Sequence, residues 1–264
     1  MKNVLITGVS KGIGRAIAER FLQEGFHVYG TFCHDEEKAK ELIKTYGNKV
    51  VSLYGSYDFT DTDSAKKLIL DLKDAKFDAV VFNAGIFSEN DDFNDFDLQE
   101  FNKTMNCNFY TPLILATGLK DNILEHGSIV IMSSNDAYPG AFSSMSYSIS
   151  KSALISLMKC LSVNFGEKNI RVNSVAPGAI DTDMNTPEQM NIAPYFTPIH
   201  RAGTTEDVAK VVYFLASDQA SFISGENITI DGGYNIVSVL LKSEADKPLS
   251  DNLQSFIKKR KSTK

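Results

Sequence analysis

Asn3-Val4-Leu5-Ile6-Thr7-Gly8-Val9-Ser10-Lys11-Gly12-Ile13-Gly14 opens the chain, and its reading decides the fold. A short apolar run, the pattern of a buried strand, ends at Thr7. A turn spaced by three glycines follows, and residues 13–24 continue at helical period. Glycine lets the backbone turn tightly and come close to a ligand, while a helix N-terminus offers free N–H groups and a partial positive charge. Gly8, Ser10, Lys11, Gly12, Ile13 and Gly14 are therefore the expected cradle of a dinucleotide pyrophosphate. The spacing is TGxxxGxG rather than GxGxxG, so the expectation rests on the strand–turn–helix context as much as on the motif.

Outward from this stretch, strand-like runs at 27–32, 50–54, 79–82, 128–132, 171–175 and 227–230 alternate with helical runs at 13–24, 36–46, 64–72, 98–119, 146–165 and 206–215. Such alternation predicts an α/β fold: a single-domain, Rossmann-type, doubly wound parallel sheet of about seven strands flanked by helices. The runs around Val80 and Ile129 are apolar without alternation, as strands covered on both faces should be. Residues 1–235 are expected to form the cofactor-binding domain and 236–264 a C-terminal extension. In such sheets ligands bind beyond the carboxyl ends of the strands.

Bulk composition narrows the partners. The 264 residues carry 27 basic and 33 acidic side chains, a net charge of −6, which argues against nucleic acid. No apolar run approaches the ~18 residues of a membrane span. Strand-like residues so soon after Met1 leave no room for a signal peptide, and Cys33, Cys107 and Cys160 lack metal or disulfide spacing. A cytoplasmic protein with no membrane partner is expected, its cysteines packed as small buried hydrophobes, with no metal site. The acidic run Glu89, Asp91, Asp92, Asp95 and Asp97 reads as a solvated lead-in to a helix, with Asp97 as its N-cap.

Chemistry concentrates in the middle of the chain. Tyr147 and Lys151 are four apart on a predicted helix and share a face. An ammonium beside a phenol lowers the phenol's pKa, which suits Tyr147 to give or take a proton. Ser134 closes a predicted strand thirteen residues earlier, where its hydroxyl can hold the carbonyl oxygen that Tyr147 protonates. A turn-capping role fits Ser133 better than Ser134. Strand two reaches Thr31 where NAD-binding folds place an acid on the ribose. A carboxylate there would repel a 2′-phosphate, which Thr31 can hydrogen-bond and Lys11 neutralise, so NADPH is expected over NADH.

With these motifs in hand, the chain resembles the short-chain dehydrogenase/reductase family, and the 3-oxoacyl-[acyl-carrier-protein] reductases most. The resemblance spans residues 2 to about 234 and is carried by the glycine loop, Asp58, Asn83-Ala84-Gly85, Ser134/Tyr147/Lys151, the run from Arg171 to Gly178, the run from Arg201 to Ala209, and Ile230-Asp231-Gly232-Gly233. It implies that Asp58 and Phe59 contact the adenine. It places Asn83, Ala84 and Gly85 beside the cofactor ribose, with Lys151 on the nicotinamide ribose. Pro177, Gly178, Ile180 and Thr182 should flank the nicotinamide. It also implies a helix asparagine holding a proton-relay water. Asn108 follows the family's pattern better than Asn106, except that Thr111 stands where glycine is usual. Residues 183–200 should cover a moderately hydrophobic substrate, with His200 replacing a glycine. A homotetramer or homodimer is implied.

Three functions remain open on the sequence. One is an NADPH-dependent reductase of a small-molecule or acyl-thioester carbonyl. Another is a dehydrogenase oxidising a sugar or secondary alcohol. The third is a non-catalytic cofactor-binding regulator. From Ile236 the chain is basic, with Lys258-Lys259-Arg260-Lys261 read as a solvated end and 252–259 as a short amphipathic helix.

Overall fold

Strands β1 (Asn3–Ile6), β2 (His27–Thr31), β3 (Val51–Tyr54), β4 (Phe77–Phe82), β5 (Ile123–Met132), β6 (Arg171–Pro177) and β7 (Asn227–Ile230) form one sheet in the computed structural model, which describes residues 1–88, 93–141 and 144–238. The order is β3-β2-β1-β4-β5-β6-β7, and each pairing is parallel. The winding reverses between β1 and β4, which opens a crevice at their carboxyl ends. Among the described residues the connecting helices are α1 (Gly12–Gln23), α2 (Glu36–Tyr46), α3 (Thr62–Asp71), α4 (Leu98–Met105), α5 (Thr111–Gly118), α6 (Met145–Phe165), α7 (Pro187–Phe196) and α8 (Thr205–Ala216).

Two cores lie on opposite faces of the sheet, and strand period sorts side chains between them. Val4, Ile6, Val81, Val130 and Val175 pack with Ile17 and Phe21 of α1, Leu42 of α2, and Val208 and Val212 of α8. Leu5, Val80, Phe82, Ile129 and Ile131 point the other way, against Leu68 of α3, Leu115 of α5 and Leu154 of α6. Successive strand residues face opposite sides, so a strand covered twice must be apolar throughout. Phe21 packs edge-to-face on Phe26 and Tyr213 at 5.0 and 5.4 Å, which ties α1 to α8. No helix of the described residues is long and apolar enough to cross a membrane.

Local chemistry sets the helix ends. The Asp97 carboxylate accepts from the N–H groups of Gln99 and Glu100, the cap expected of it. Glu89, Asp91 and Asp92 lie outside the described residues, as do 252–259 and the basic cluster at 258–261.

Asn122 closes the far end of the sheet. It is buried, and its amide donates to the carbonyls of Leu72, Lys73 and Ala75 at 3.0, 3.1 and 2.7 Å. Asn122→Ala strands these acceptors where α3 ends, and a loss of about 2 kcal/mol is expected. Urea denaturation should show a lower midpoint at unchanged m-value; an unmoved midpoint would mean that water replaces the amide.

Two expectations need correction, and one helix was not foreseen. The single helix over 98–119 is interrupted by a π-helical turn at Asn106–Tyr110. Pro112 has no N–H to give the carbonyl of Asn108 four residues back, and its ring crowds that oxygen, so the helix widens there. Residues 183–200 contain a helix, α7, that hydrophobic period did not reveal. Its signal is a capping box, Thr186 with Gln189, and Pro187 at the first position. Finally, only Cys107 is buried; Cys33 is half-buried and Cys160 exposed, though all three are free thiols.

Candidate active site

The carboxyl ends of β1, β2, β4, β5 and β6 open into one cleft of about 1220 Å³, with α7 on its far wall. Lining it are the loop residues Gly8, Ser10, Lys11, Gly12, Ile13 and Gly14, together with Thr31, Asp58, Phe59, Asn83, Ala84 and Gly85. Ser134, Tyr147, Lys151, Pro177, Gly178, Ile180 and Thr182 complete the set. Asn108 and Asn106 stand behind the lining, and His200 lies outside it.

The loop is shaped for an anion. Gly8 and Gly12 adopt φ of +76° and +56°, a backbone region that side chains avoid. A Cβ on Gly12 would meet only Thr182, at 3.7 Å, so this surface faces open space. Helix α1 has no side-chain cap and no acid in its first turn. Its free N–H groups and unopposed dipole fit a phosphate. Asn83 holds the loop: its amide donates to the carbonyls of Thr7 and Gly8, both at 3.0 Å.

At the adenosine end the geometry adds a bracing role. The Thr31 hydroxyl is buried and accepts the Gly8 N–H at 3.1 Å. It braces the loop while lining the cleft, with Cys33 and His34 beyond it. Lys11 is 3.4 Å from the Asp35 carboxylate and 3.9 Å from Asp183. Asp58 accepts from the Thr60 N–H and hydroxyl, and these bonds hold its carboxyl below the usual range.

At the other end, β5 and α6 bring Ser134, Tyr147 and Lys151 together. Ser133 donates to the Lys151 carbonyl at 2.8 Å, which pins the strand to the helix. The capping role assigned to Ser133 falls to Ser134, whose Oγ accepts the Asp136 N–H at 3.1 Å. The same hydroxyl bonds Tyr147 and favours its phenolate. Burial outweighs that effect, and Asp136 adds to it, so the Tyr147 hydroxyl is pushed up to about 12. This is opposite to the lowering expected from Lys151. The Lys151 ammonium is turned to the Met132 carbonyl, 2.8 Å away, and lies 5.4 Å from the Tyr147 ring centroid. Burial brings Lys151 itself down to about 8, so it holds its proton loosely near neutral pH.

Asn108 is buried, and its side chain is fully engaged. Its Oδ1 accepts the Ile86 N–H at 2.8 Å, while its amide donates to the Ile86 carbonyl and to Ser150 Oγ at 2.9 and 3.1 Å. It therefore joins the exit of β4 to α6, and presents no free amide to a relay water. Asn106 turns away, donating to the Thr60 carbonyl at 2.8 Å.

Phe87, Asn135, Asp136 and Gln189 also line the cleft and were missed in the sequence. Phe87 packs on Tyr147 at 5.2 Å between ring centroids. Its only sequence signal is its place two residues past Gly85. Asp136 sits two past Ser134, a spacing that had meaning only once Ser134 was found to end a strand.

A phosphate cradle at the switch point, with a buried Ser/Tyr/Lys set at the same sheet edge, is an arrangement for nicotinamide chemistry. A family model described as Enoyl-(Acyl carrier protein) reductase matches residues 8–235. The chain belongs to the short-chain dehydrogenase/reductase family. It is thus an NAD(P)-dependent oxidoreductase of Rossmann fold. It is 36% identical to a versicolorin reductase of Emericella nidulans over 253 residues, covering 88% of this chain and 95% of that one. A 3-oxoacyl-[acyl-carrier-protein] reductase of Buchnera aphidicola is 32% identical over 244 residues, covering 88% and 96%. The resemblance to that group holds, though a versicolorin reductase shares more identity. A short-chain dehydrogenase of Burkholderia cenocepacia, solved in complex with NADP, superposes with a TM-score of 0.82 at 30% identity, covering 89% and 98%.

Proposed function

We propose that this short-chain dehydrogenase/reductase is an NADPH-dependent reductase of a ketone, either 3-oxoacyl-type or related, converting the carbonyl to a hydroxyl. The observation that carries this is the convergence of Ser134, Tyr147 and Lys151 on one buried corner of the cleft, at the opposite end from Lys11. NADP- and NADPH-bound structures of similar chains support the cofactor, as does the lack of an acid at Thr31.

A bound reduced nicotinamide supplies the hydride. The chain supplies position and the proton. Ser134 Oγ holds the substrate oxygen, and Tyr147, protonated at neutral pH because it is buried, donates to that oxygen as charge develops. Lys151, poised near 8, favours proton return to Tyr147. Asn108 fixes the α6 register through Ser150, which in turn donates to the Tyr147 carbonyl at 2.7 Å. Lys11 and the α1 N-terminus hold phosphate.

The test follows the loss of reduced-nicotinamide absorbance with NADPH and NADH in parallel, across acetoacetyl thioesters, diketones and keto-sugars. Turnover with NADPH and a ketone is expected. Equal turnover with NADH would withdraw the 2′-phosphate assignment, and silence with every ketone would withdraw the reductase. Lys11→Ala should raise the KM for NADPH about tenfold and move that for NADH far less, since a charged hydrogen bond to phosphate is lost.

A further inference from the structure

At the substrate end of the cleft, the Asp136 carboxylate finds no hydrogen-bond donor or cation among the described residues. Its backbone is locked on both sides: the N–H donates to Ser134 Oγ at 3.1 Å, and the carbonyl accepts from Ser148 Oγ at 2.7 Å. The first bond ties it to the serine that holds the substrate oxygen, and the second to the helix that carries Tyr147. Its side chain lines the cleft, half-buried, and among the described residues no donor or cation bonds it. Asp181 also lines the cleft but is exposed to water, whereas the other acids near it are engaged. Asp35 pairs with Lys11, Asp58 with Thr60, and Asp231 accepts the N–H groups of Gly233 and Asn235 at 2.8 Å each.

Burial without a partner raises the Asp136 carboxyl above its ordinary range, and its charge acts on the Tyr147 hydroxyl. A partly buried carboxylate with no donor is costly, and a ligand donor relieves that cost.

We infer that Asp136 is a specificity residue that accepts a hydrogen bond from a hydroxyl carried by the substrate beside its reacting carbonyl, so that the preferred substrates are hydroxyketones. The inference rests on the reductase reading of the same site. A hydroxyl fits better than an ammonium, because a second charge would bring its own desolvation cost into the cleft. Only a few bonds separate the Asp136 carboxylate from the nitrogen that touches Ser134 Oγ. The Asp136 charge also acts on the Tyr147 hydroxyl, so a donor that reaches it stands close to the reacting carbonyl. Phe87 and Ile192 on the cleft wall accept the apolar remainder.

Hydroxyacetone and 2-butanone differ by a hydroxyl in place of a methyl, and their kcat/KM ratio reads the contact. In the wild-type chain the ratio should favour hydroxyacetone by about tenfold to a hundredfold, the range of a hydrogen bond to a charged group. Asp136→Ala should bring it close to one, and Asp136→Asn, which keeps an acceptor and the backbone turn, should leave it between. A ratio near one in the wild type, or one unchanged in Asp136→Ala, overturns the inference and leaves the reductase standing. A parallel measurement compares the rise in Tm given by 1,2-propanediol and by 2-butanol in the presence of NADPH. If no ketone turns over, a rise specific to the diol and lost in Asp136→Ala sustains the hydroxyl site while the reductase falls. No specific rise overturns the site as well.

Discussion

Tyr147→Phe is expected to lower kcat by about a thousandfold, within the range for loss of a positioned acid–base group. The change removes one oxygen and keeps the ring. Packing against Phe87, 5.2 Å away, and the Lys151 ammonium above the ring should therefore survive. Fold and NADPH affinity should stay near wild type, so the loss falls on kcat. Ser134 would still hold the substrate oxygen, but nothing would protonate it. Retention of most activity would remove Tyr147 from the mechanism.

The pH profile offers a second check with a defined sign. Reduction needs the phenol. Tyr147 is pushed up to about 12, so it stays protonated throughout the neutral range. Lys151 is lowered to about 8, so its ammonium is present below that value and lost as pH rises through it. The reductive rate should hold below about 8 and decline above it, with Lys151 rather than Tyr147 setting the limb. Oxidation of the alcohol needs the phenolate and should rise with pH. A reductive rate that climbs between pH 8 and 10 would contradict this assignment.

Gly14→Ala should abolish NADPH saturation and destabilise the fold. A Cβ built on Gly14 falls on the Gly8 carbonyl oxygen and the Asn83 amide. Both neighbours are fixed: Gly8 by its N–H bonds to Thr31, and Asn83 by its bonds to the loop carbonyls. No flexible side chain can give way, so α1 must move away from β1. Such overpacking costs about 1–3 kcal/mol, or about 5 °C in Tm for a chain of this size. The larger consequence is for binding, since the displaced N–H groups are those proposed to hold the phosphate. Gly166→Ala is the control. It sits at φ −58° with no atom near its would-be Cβ, and should leave both Tm and NADPH titration unchanged. A Gly14→Ala protein that still saturates with NADPH would show that the cradle lies elsewhere.

The parts of the site legible in the sequence share a physical property: they depend on near neighbours. The Gly8/Gly12/Gly14 turn is a backbone requirement. Tyr147 and Lys151 meet because a helix repeats every ~3.6 residues. Asp97 caps the helix that begins one residue later. Missed or misjudged features depended on distant partners. Thr31 lines the cleft, but its hydroxyl also accepts the N–H of Gly8, twenty-three residues away, a bracing role the sequence did not show. The expected lowering of Tyr147 assumed that Lys151 would govern its charge, but burial does. The π-helical turn could have been read locally, from Pro112; α7 could have been read from Thr186 and Gln189.

By itself, then, the sequence determined the alternating strands and helices, the glycine loop, and the spacing that puts a phenol, an ammonium and a serine within one family of reactions. These follow from period and backbone freedom, which act over a few residues. Only the tertiary structure decided the order of the strands, the engagement of the Asn108 amide by Ile86 and Ser150, and the lack of a partner for the Asp136 carboxylate among the described residues. Each is a question of which polar groups find one another once the chain has packed, and no local pattern carries that answer.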